Sequence, residues 1–387
     1  MKRIYSIDIT RGIVMIIMAL DHVRDLMHLH SNTQSPTDLL TTTPLLFFTR
    51  WITHLCAPTF VFLAGASAWL SYRKNNDTSQ SRNFLLKRGL WLIFLDLTVI
   101  NFGLFFDPGF HTMLFEVFSA IGLGFIVLAL LLKLPANVLG VTGLVIIFGH
   151  DLVSLIPLQA GSLAMTAFSP FFSPSVFPLF TGHVFIIAYP PLPWLGIMLV
   201  GFAAGRLFEL PEERRKRMFV RIGFSALFLF AALRYSNWYG DPMTWASQKN
   251  AVLTFLSFMN VSKYSPSLLF CLLMLGILFL ILALTEHIRN RFTRIANVYG
   301  KVPLFYFVVH FYLIHILLLI VLFLQGFHWQ DLNFASGSFG RPKAADNGLP
   351  LFAVYLVWLG LVASLYRPCR WFANYKSTHQ NWWLHYL

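Results

Sequence analysis

Ten long apolar stretches occupy most of this 387-residue sequence and leave little chain for anything else. In a bilayer the backbone polar groups must be satisfied within the segment, so a crossing helix needs roughly 20 apolar residues. On that rule the sequence predicts helices near 10–28, 46–72, 84–106, 112–133, 136–156, 192–210, 217–235, 266–286, 302–325 and 349–367. Composition agrees: 57% of residues are hydrophobic, only 12% are charged against about a quarter in a soluble globule, and mean hydropathy is +0.66. The expected fold is an all-α polytopic membrane protein. The first stretch follows Met1-Lys2-Arg3 like a secretory leader. Its polar Asp21, His22, Arg24 and Asp25 do not fit an uncleaved apolar core, so it is expected to stay in the mature chain.

Lysine and arginine fix the expected orientation, because positively charged loops remain in the cytoplasm. With an inside N-terminus, 22 of the 29 Lys and Arg fall in 1–11, 73–88, Lys133, 206–221, 289–301 and the tail after Tyr366. Arg24, Arg50, Arg234, Lys249, Lys263, Arg341 and Lys343 fall in helices or outside loops. Both termini are therefore expected to be cytoplasmic, in agreement with an even helix count. The net charge of +13 reads as a topology signal, with attraction to anionic headgroups or a polyanionic ligand, and nucleic acid is not expected as a partner.

The outside loops 157–191 and 236–265 are long and rich in Pro, Ser, Phe and Trp, and their prolines (Pro170, Pro174, Pro178, Pro190, Pro191) argue against continuous helix. They would form a lid over an outward-facing pocket. No repeat or linker marks a second unit, so residues 1–387 read as one transmembrane domain. Cys56, Cys271 and Cys369 lie far apart with no metal-type spacing, and neither a disulfide nor a zinc site is expected.

Ionisable groups inside apolar segments are costly unless they face a cavity or a partner, which makes them the candidate functional residues. Arg11 follows Asp8 by three residues at the start of the first helix, where it can pair with Asp8 or face phosphates arriving from the cytoplasm. His22 lies about 16 Å further along, near mid-membrane, beside Asp21. Arg50 and His54 share a face of the second helix, and Pro58 should bend it next to them. The run Gly65-Ala66-Ser67-Ala68 below offers a smooth face for close packing. His310 and His315 point about 140° apart, so they do not easily share one site, and His310 is the one expected at the cavity. Asp96, Glu116, His150 and Asp151 read as packing partners. Soluble-enzyme signatures such as Gly-x-Ser-x-Gly, a phosphate-binding loop or a dinucleotide fingerprint are not found.

Several separated motifs, in order, carry a resemblance. Ser6-Ile7-Asp8-Ile9-Thr10-Arg11-Gly12 leads to Asp21-His22; then come Ala57-Pro58-Thr59-Phe60-Val61-Phe62-Leu63-Ala64-Gly65, Tyr189-Pro190-Pro191-Leu192-Pro193-Trp194-Leu195-Gly196, Lys263-Tyr264-Ser265-Pro266-Ser267-Leu268 and Gly300-Lys301-Val302-Pro303-Leu304-Phe305-Tyr306. From residue 6 to about 370 the chain resembles bacterial relatives of heparan-alpha-glucosaminide N-acetyltransferase. The resemblance implies a transmembrane acyltransferase of the bacterial inner membrane. Acetyl-CoA would bind from the cytoplasm, and its acetyl group would pass to an amine or hydroxyl of a sugar or glycan outside. In the lysosomal enzyme the catalytic histidine lies in the loop approaching the second helix. The corresponding stretch 40–50 here has no histidine, so the role moves on physical grounds to His22 and His54.

On that reading His22 is the candidate base, since histidine suits removal of a proton from a sugar amine or hydroxyl. Asp21 or a carboxylate from another helix would hold its tautomer, and Arg50 and His54 would stabilise the oxyanion or orient the acceptor. His310, Lys263 and Tyr264 are candidates for substrate binding. Arg11, Lys87, Arg88, Arg214 and Arg215 are candidates for the CoA phosphates, with no metal required. Trp238, Tyr239, Trp245, Tyr264 and Trp329 suit either sugar stacking or the interfacial belt. A homo-oligomer is compatible with all of this. The rival readings are a proton-coupled secondary transporter, which would also place Asp and His within the membrane, and a non-catalytic membrane scaffold.

Overall fold

A computed structural model describes residues 4–75, 77–155, 162–335, 337–343 and 347–385. Met1-Lys2-Arg3 and the first residues of the 157–191 loop lie outside this set. The helices are α1 Tyr5–Met27, α2 Pro44–Trp51, α3 Cys56–Asn75, α4 Thr78–Leu95, α5 Asn101–Phe105, α6 Val117–Leu131, α7 Ala136–Gly149, α8 Leu163–Phe172, α9 Pro191–Ala204, α10 Glu212–Ser236, α11 Ala251–Met259, α12 Leu268–Thr285, α13 Arg291–Lys301, α14 Pro303–Leu324 and α15 Leu351–Thr378. Strands β1 Thr112–Phe115, β2 Ser175–Phe180 and β3 His183–Ile187 form one small sheet in the order β1-β3-β2.

Each predicted apolar stretch contains a helix, so the protein is an all-α polytopic membrane protein. Among the described residues, eight helical segments are long and apolar enough to cross a membrane. The remaining two fall short for different reasons. α1 carries Asp8, Arg11, Asp21, Arg24 and Asp25, and α6 is only 15 residues long. The expectation of a helix from 112 is corrected. Residues Thr112–Phe115 pair in parallel with β3, and α6 begins only at Val117. The reason sits in another helix: a π-turn at Asp96–Ile100 follows α4, and the Asp96 carboxylate accepts from the amides of Glu116 and Ser119 at 3.0 Å each. A cap supplied from outside the segment fixes the α6 start, and local hydropathy carries no trace of it. In the 157–191 loop the prolines do not exclude regular structure, since Pro170 lies within α8 and Pro178 in the edge strand β2, where a missing amide costs little.

The second predicted helix is α2 and α3 joined by a 3-10 turn, Ile52–Leu55. Pro58 withholds the amide that would bond the His54 carbonyl, so the chain tightens there. α13 is amphipathic and lies outside the ten apolar stretches. It lies so close against α1 that a Cβ on Gly12 would sit 1.7 Å from the Ala296 carbonyl oxygen, and one on Gly300 would sit 1.8 Å from that of Asp8. Gly65 allows a similar approach to Met198 on α9.

Contacts sort the loops onto two ends. At one, Ser6 donates to Glu286 at 2.6 Å, Arg215 to Glu286 at 2.9 Å and Trp69 to Glu209 at 3.0 Å, and Arg289 lies over the Tyr5 ring. Segments assigned inside by their lysines and arginines meet here, and this is called the basic end. At the far end the Leu29 amide donates to the Leu349 carbonyl at 3.0 Å and the Leu349 amide to that of Met27 at 2.6 Å, Asn260 donates to Thr37 and Leu268 to Asp151.

Candidate active site

Two cavities open into the helical body, one toward each end. The histidine cavity, of about 340 Å³, lies between α1, α3, α6 and α14 and is lined by Asp21, His22, Asp25, Arg50 and Glu116. Its far-end wall comes from Ser31, Tyr189, Lys263, Tyr264 and Phe339. Each of the two predicted loops contributes to this wall, Tyr189 from one and Lys263 and Tyr264 from the other, and Phe339 joins them from the segment between α14 and α15. Arg341 ties that segment down with hydrogen bonds to Asn347 (2.7 and 2.6 Å), the His28 carbonyl (3.0 Å) and Ser31 (2.5 Å). Burial lowers the Arg341 guanidinium to about 10, so it remains charged at neutral pH.

The hydrogen bonds define the tautomer of His22. His310 is fully buried, and its Nδ1 lies 2.5 Å from the Phe307 carbonyl and 3.2 Å from that of Tyr306. Carbonyl oxygens only accept, so this nitrogen carries the proton. In neutral His310 the Nε2 must then be an acceptor, and it lies 2.7 Å from His22 Nδ1. His22 Nδ1 therefore donates, and its Nε2 keeps the lone pair that a base needs. The imidazole is held in place by stacking on Phe311 at 4.3 Å and by the edge of Phe307.

The expected Asp21 contact to His22 is replaced. Asp21 accepts from Arg24 at 2.7 Å and from Arg50, and Arg24 also pairs with Asp25 at 2.8 Å. The histidine that orients His22 comes from α14 and the carboxylate serves the arginines. His54 is buried, 5.7 Å from the Phe270 ring, and does not line the cavity, whereas Arg50 and Thr53 do. His310 sits behind His22 instead of facing the cavity. His315 faces elsewhere, stacked on Phe106 at 4.0 Å with Nδ1 against the Leu104 carbonyl. Lys263 lines the cavity and is nearly buried, 5.0 Å from the Tyr264 ring centroid. Of the five far-end aromatics singled out, Tyr264 alone lines this cavity.

The basic cavity, of about 540 Å³, is lined by Arg11, Ser67, Arg88, Lys301 and Lys376. Arg11 donates to Ser67 Oγ at 2.6 Å and to the Leu63 carbonyl at 3.1 Å, and so stands across the α1–α3 interface. Among the described lining residues there is no carboxylate, and such a cluster suits a polyanion. Of the other predicted phosphate ligands, Lys87 and Arg214 are exposed and do not line this cavity. Arg215 is engaged by Glu286 and by the carbonyls of Phe208 and Leu210. Phe60 and Val117 line both cavities.

A sequence model described as heparan-alpha-glucosaminide N-acetyltransferase, catalytic, matches residues 3–236. The chain belongs to this family. No curated protein matches it significantly. Membership makes the protein an acyltransferase of the transmembrane acetyltransferase type, from a family that in general uses acetyl-CoA. The heparan-alpha-glucosaminide N-acetyltransferase match ends with α10, so Lys263, Lys301 and Lys376 line the two cavities from beyond the matched stretch, as does His310 behind His22.

Lys376 carries no local signal apart from its share in the topology count. Glu116 was read as packing, yet it lines the histidine cavity. Tyr189 and Lys301 did appear inside the motifs quoted for the heparan-alpha-glucosaminide N-acetyltransferase resemblance, and that was the available signal for them.

Proposed function

We propose that this protein, a single transmembrane unit with both termini in the cytoplasm of a bacterium, transfers an acetyl group across the inner membrane. The donor is cytoplasmic acetyl-CoA and the acceptor is an amine or hydroxyl of a sugar or glycan on the outer side. The basic cavity receives the CoA phosphates through Arg11, Arg88, Lys301 and Lys376, and the histidine cavity receives the acceptor.

His22 Nε2 removes the proton from the acceptor as its oxygen or nitrogen attacks the thioester carbonyl. The C–S bond breaks as the tetrahedral intermediate collapses, and the imidazolium returns its proton to the departing CoA thiolate. His310 accepts the His22 Nδ1 proton in a hydrogen bond and keeps the ring in the reactive tautomer. Arg50 and Lys263 line the same cavity and supply positive charge for the developing oxyanion.

The observation that carries this reading is the His22–His310 pair. It sets an unprotonated imidazole nitrogen on the wall of a cavity that adjoins the basic one. The test is transfer of labelled acetyl from acetyl-CoA by the purified full chain to a panel of amino sugars and neutral sugars. Label should appear in product, and His22→Ala should abolish it. Substrate uptake into proteoliposomes without turnover of acetyl-CoA would establish a carrier instead.

A further inference from the structure

If the two cavities hold donor and acceptor, the acyl group must pass between them, and the structure shows what lies in the way. Phe60, half-buried on α3, and Val117, buried at the first residue of α6, line both cavities. Beside them Phe118, which lines the basic cavity, packs edge-on against Phe307, which lines the histidine cavity, with ring centroids 4.5 Å apart. These four boundary side chains are apolar and carry no hydrogen-bonding group. An aperture of this kind discriminates by size alone, and apolar sites separate substrates that differ by one methylene by about 10- to 200-fold.

We infer that Phe60 and Val117 set the length of the acyl chain this protein transfers, admitting acetyl and excluding longer chains. The inference rests on the acyl-transfer reading above. Phe60 is the principal determinant, because its ring is the largest side chain shared by both cavities and is only partly committed to the core. Its neighbours Thr59, Val61 and Phe62 are buried and hold α3 in place. Removing the ring therefore widens the aperture more than it disturbs the helix.

The experiment compares acetyl-, butyryl- and hexanoyl-CoA as donors for the purified full chain, with CoA release coupled to acceptor acylation as the readout. In the unmodified protein kcat/KM should fall at least tenfold with each lengthening. Phe60→Ala should raise the hexanoyl-to-acetyl ratio at least tenfold, Val117→Ala should raise it less, and Phe60→Trp should lower the butyryl-to-acetyl ratio. Thermal melting checks each variant, and Val117→Ala decides the matter if Phe60→Ala does not fold. Ratios unchanged within twofold, while acetyl transfer persists, overturn the inference alone. An unmodified protein that turns over none of the donors overturns the acyl-transfer reading beneath it.

Discussion

The two cavities share α1, α3, α6 and α14, yet their chemistry is arranged in opposite ways. Around the histidine cavity acids and bases are interleaved: Asp21 and Asp25 neutralise Arg24 and Arg50, and Glu116 and Lys263 line the same wall. The basic cavity brings Arg11, Arg88, Lys301 and Lys376 together with no carboxylate among its described lining residues. A buried charge is tolerated only when paired, and in the first arrangement Asp21, Asp25, Arg24 and Arg50 pair with one another. The second, with cations and no acid among its described lining residues, suits an anionic ligand. One helix thus carries Arg11 into the basic cavity at one depth and His22 into the histidine cavity about 16 Å further along.

Variants that touch one cavity and spare the other test this division. The largest effect is expected from His22→Ala, which should reduce acetyl transfer about 100- to 10,000-fold, with CoA binding by calorimetry retained. Equal loss of both would merge the two regions into one site. His310→Ala should follow with a loss of about 10- to 100-fold in kcat. Its KM for acetyl-CoA should stay unchanged, and His310→Gln, whose amide can still accept from His22 Nδ1, should recover part of the rate. If His310→Ala behaves like any other core truncation, with Gln no better, the tautomer argument is wrong.

On the other side, Arg88→Ala or Lys301→Ala should each raise KM for acetyl-CoA about tenfold, with kcat little altered and the defect growing with salt. An effect confined to acceptor KM would break the assignment of that cavity to the donor. The smallest change is expected from Arg341→Ala, which frees the segment over the histidine cavity and should raise acceptor KM about 2- to 10-fold. The folded-state value of Arg341, about 10, lies below that of a free guanidinium because of burial. The cation and its anchoring bonds are therefore intact from pH 6 to 9 and weaken only as pH passes 10, so the variant's defect should be constant over pH 6–9.

The helices were legible because a bilayer imposes a length and a hydropathy that local sequence must meet. The start of α6 was not, since its cap belongs to Asp96, on a π-turn 20 residues earlier. Amphipathic α13 is not legible as an apolar run, because only one of its faces is buried. Within the site, His22 stood out through its depth and the acid beside it. His310 was noticed, but its role was not: no rule of spacing within one helix can pair residues 288 positions apart. His54 drew attention as a neighbour of Arg50 on a helical face, and the 3-10 turn instead left it buried against Phe270.

By itself the amino-acid sequence determined that this protein lies in a membrane, where its positive segments gather, and that α1 carries polar groups needing partners at depth. Those properties follow from the composition of single segments against a uniform solvent. Only the tertiary structure decided that the partner of His22 is a histidine, that Asp21 serves arginines, and that a cavity of mixed charge and a basic one meet at Phe60 and Val117. Each of these depends on which helix faces lie against one another, and that is settled by packing between segments far apart in the chain.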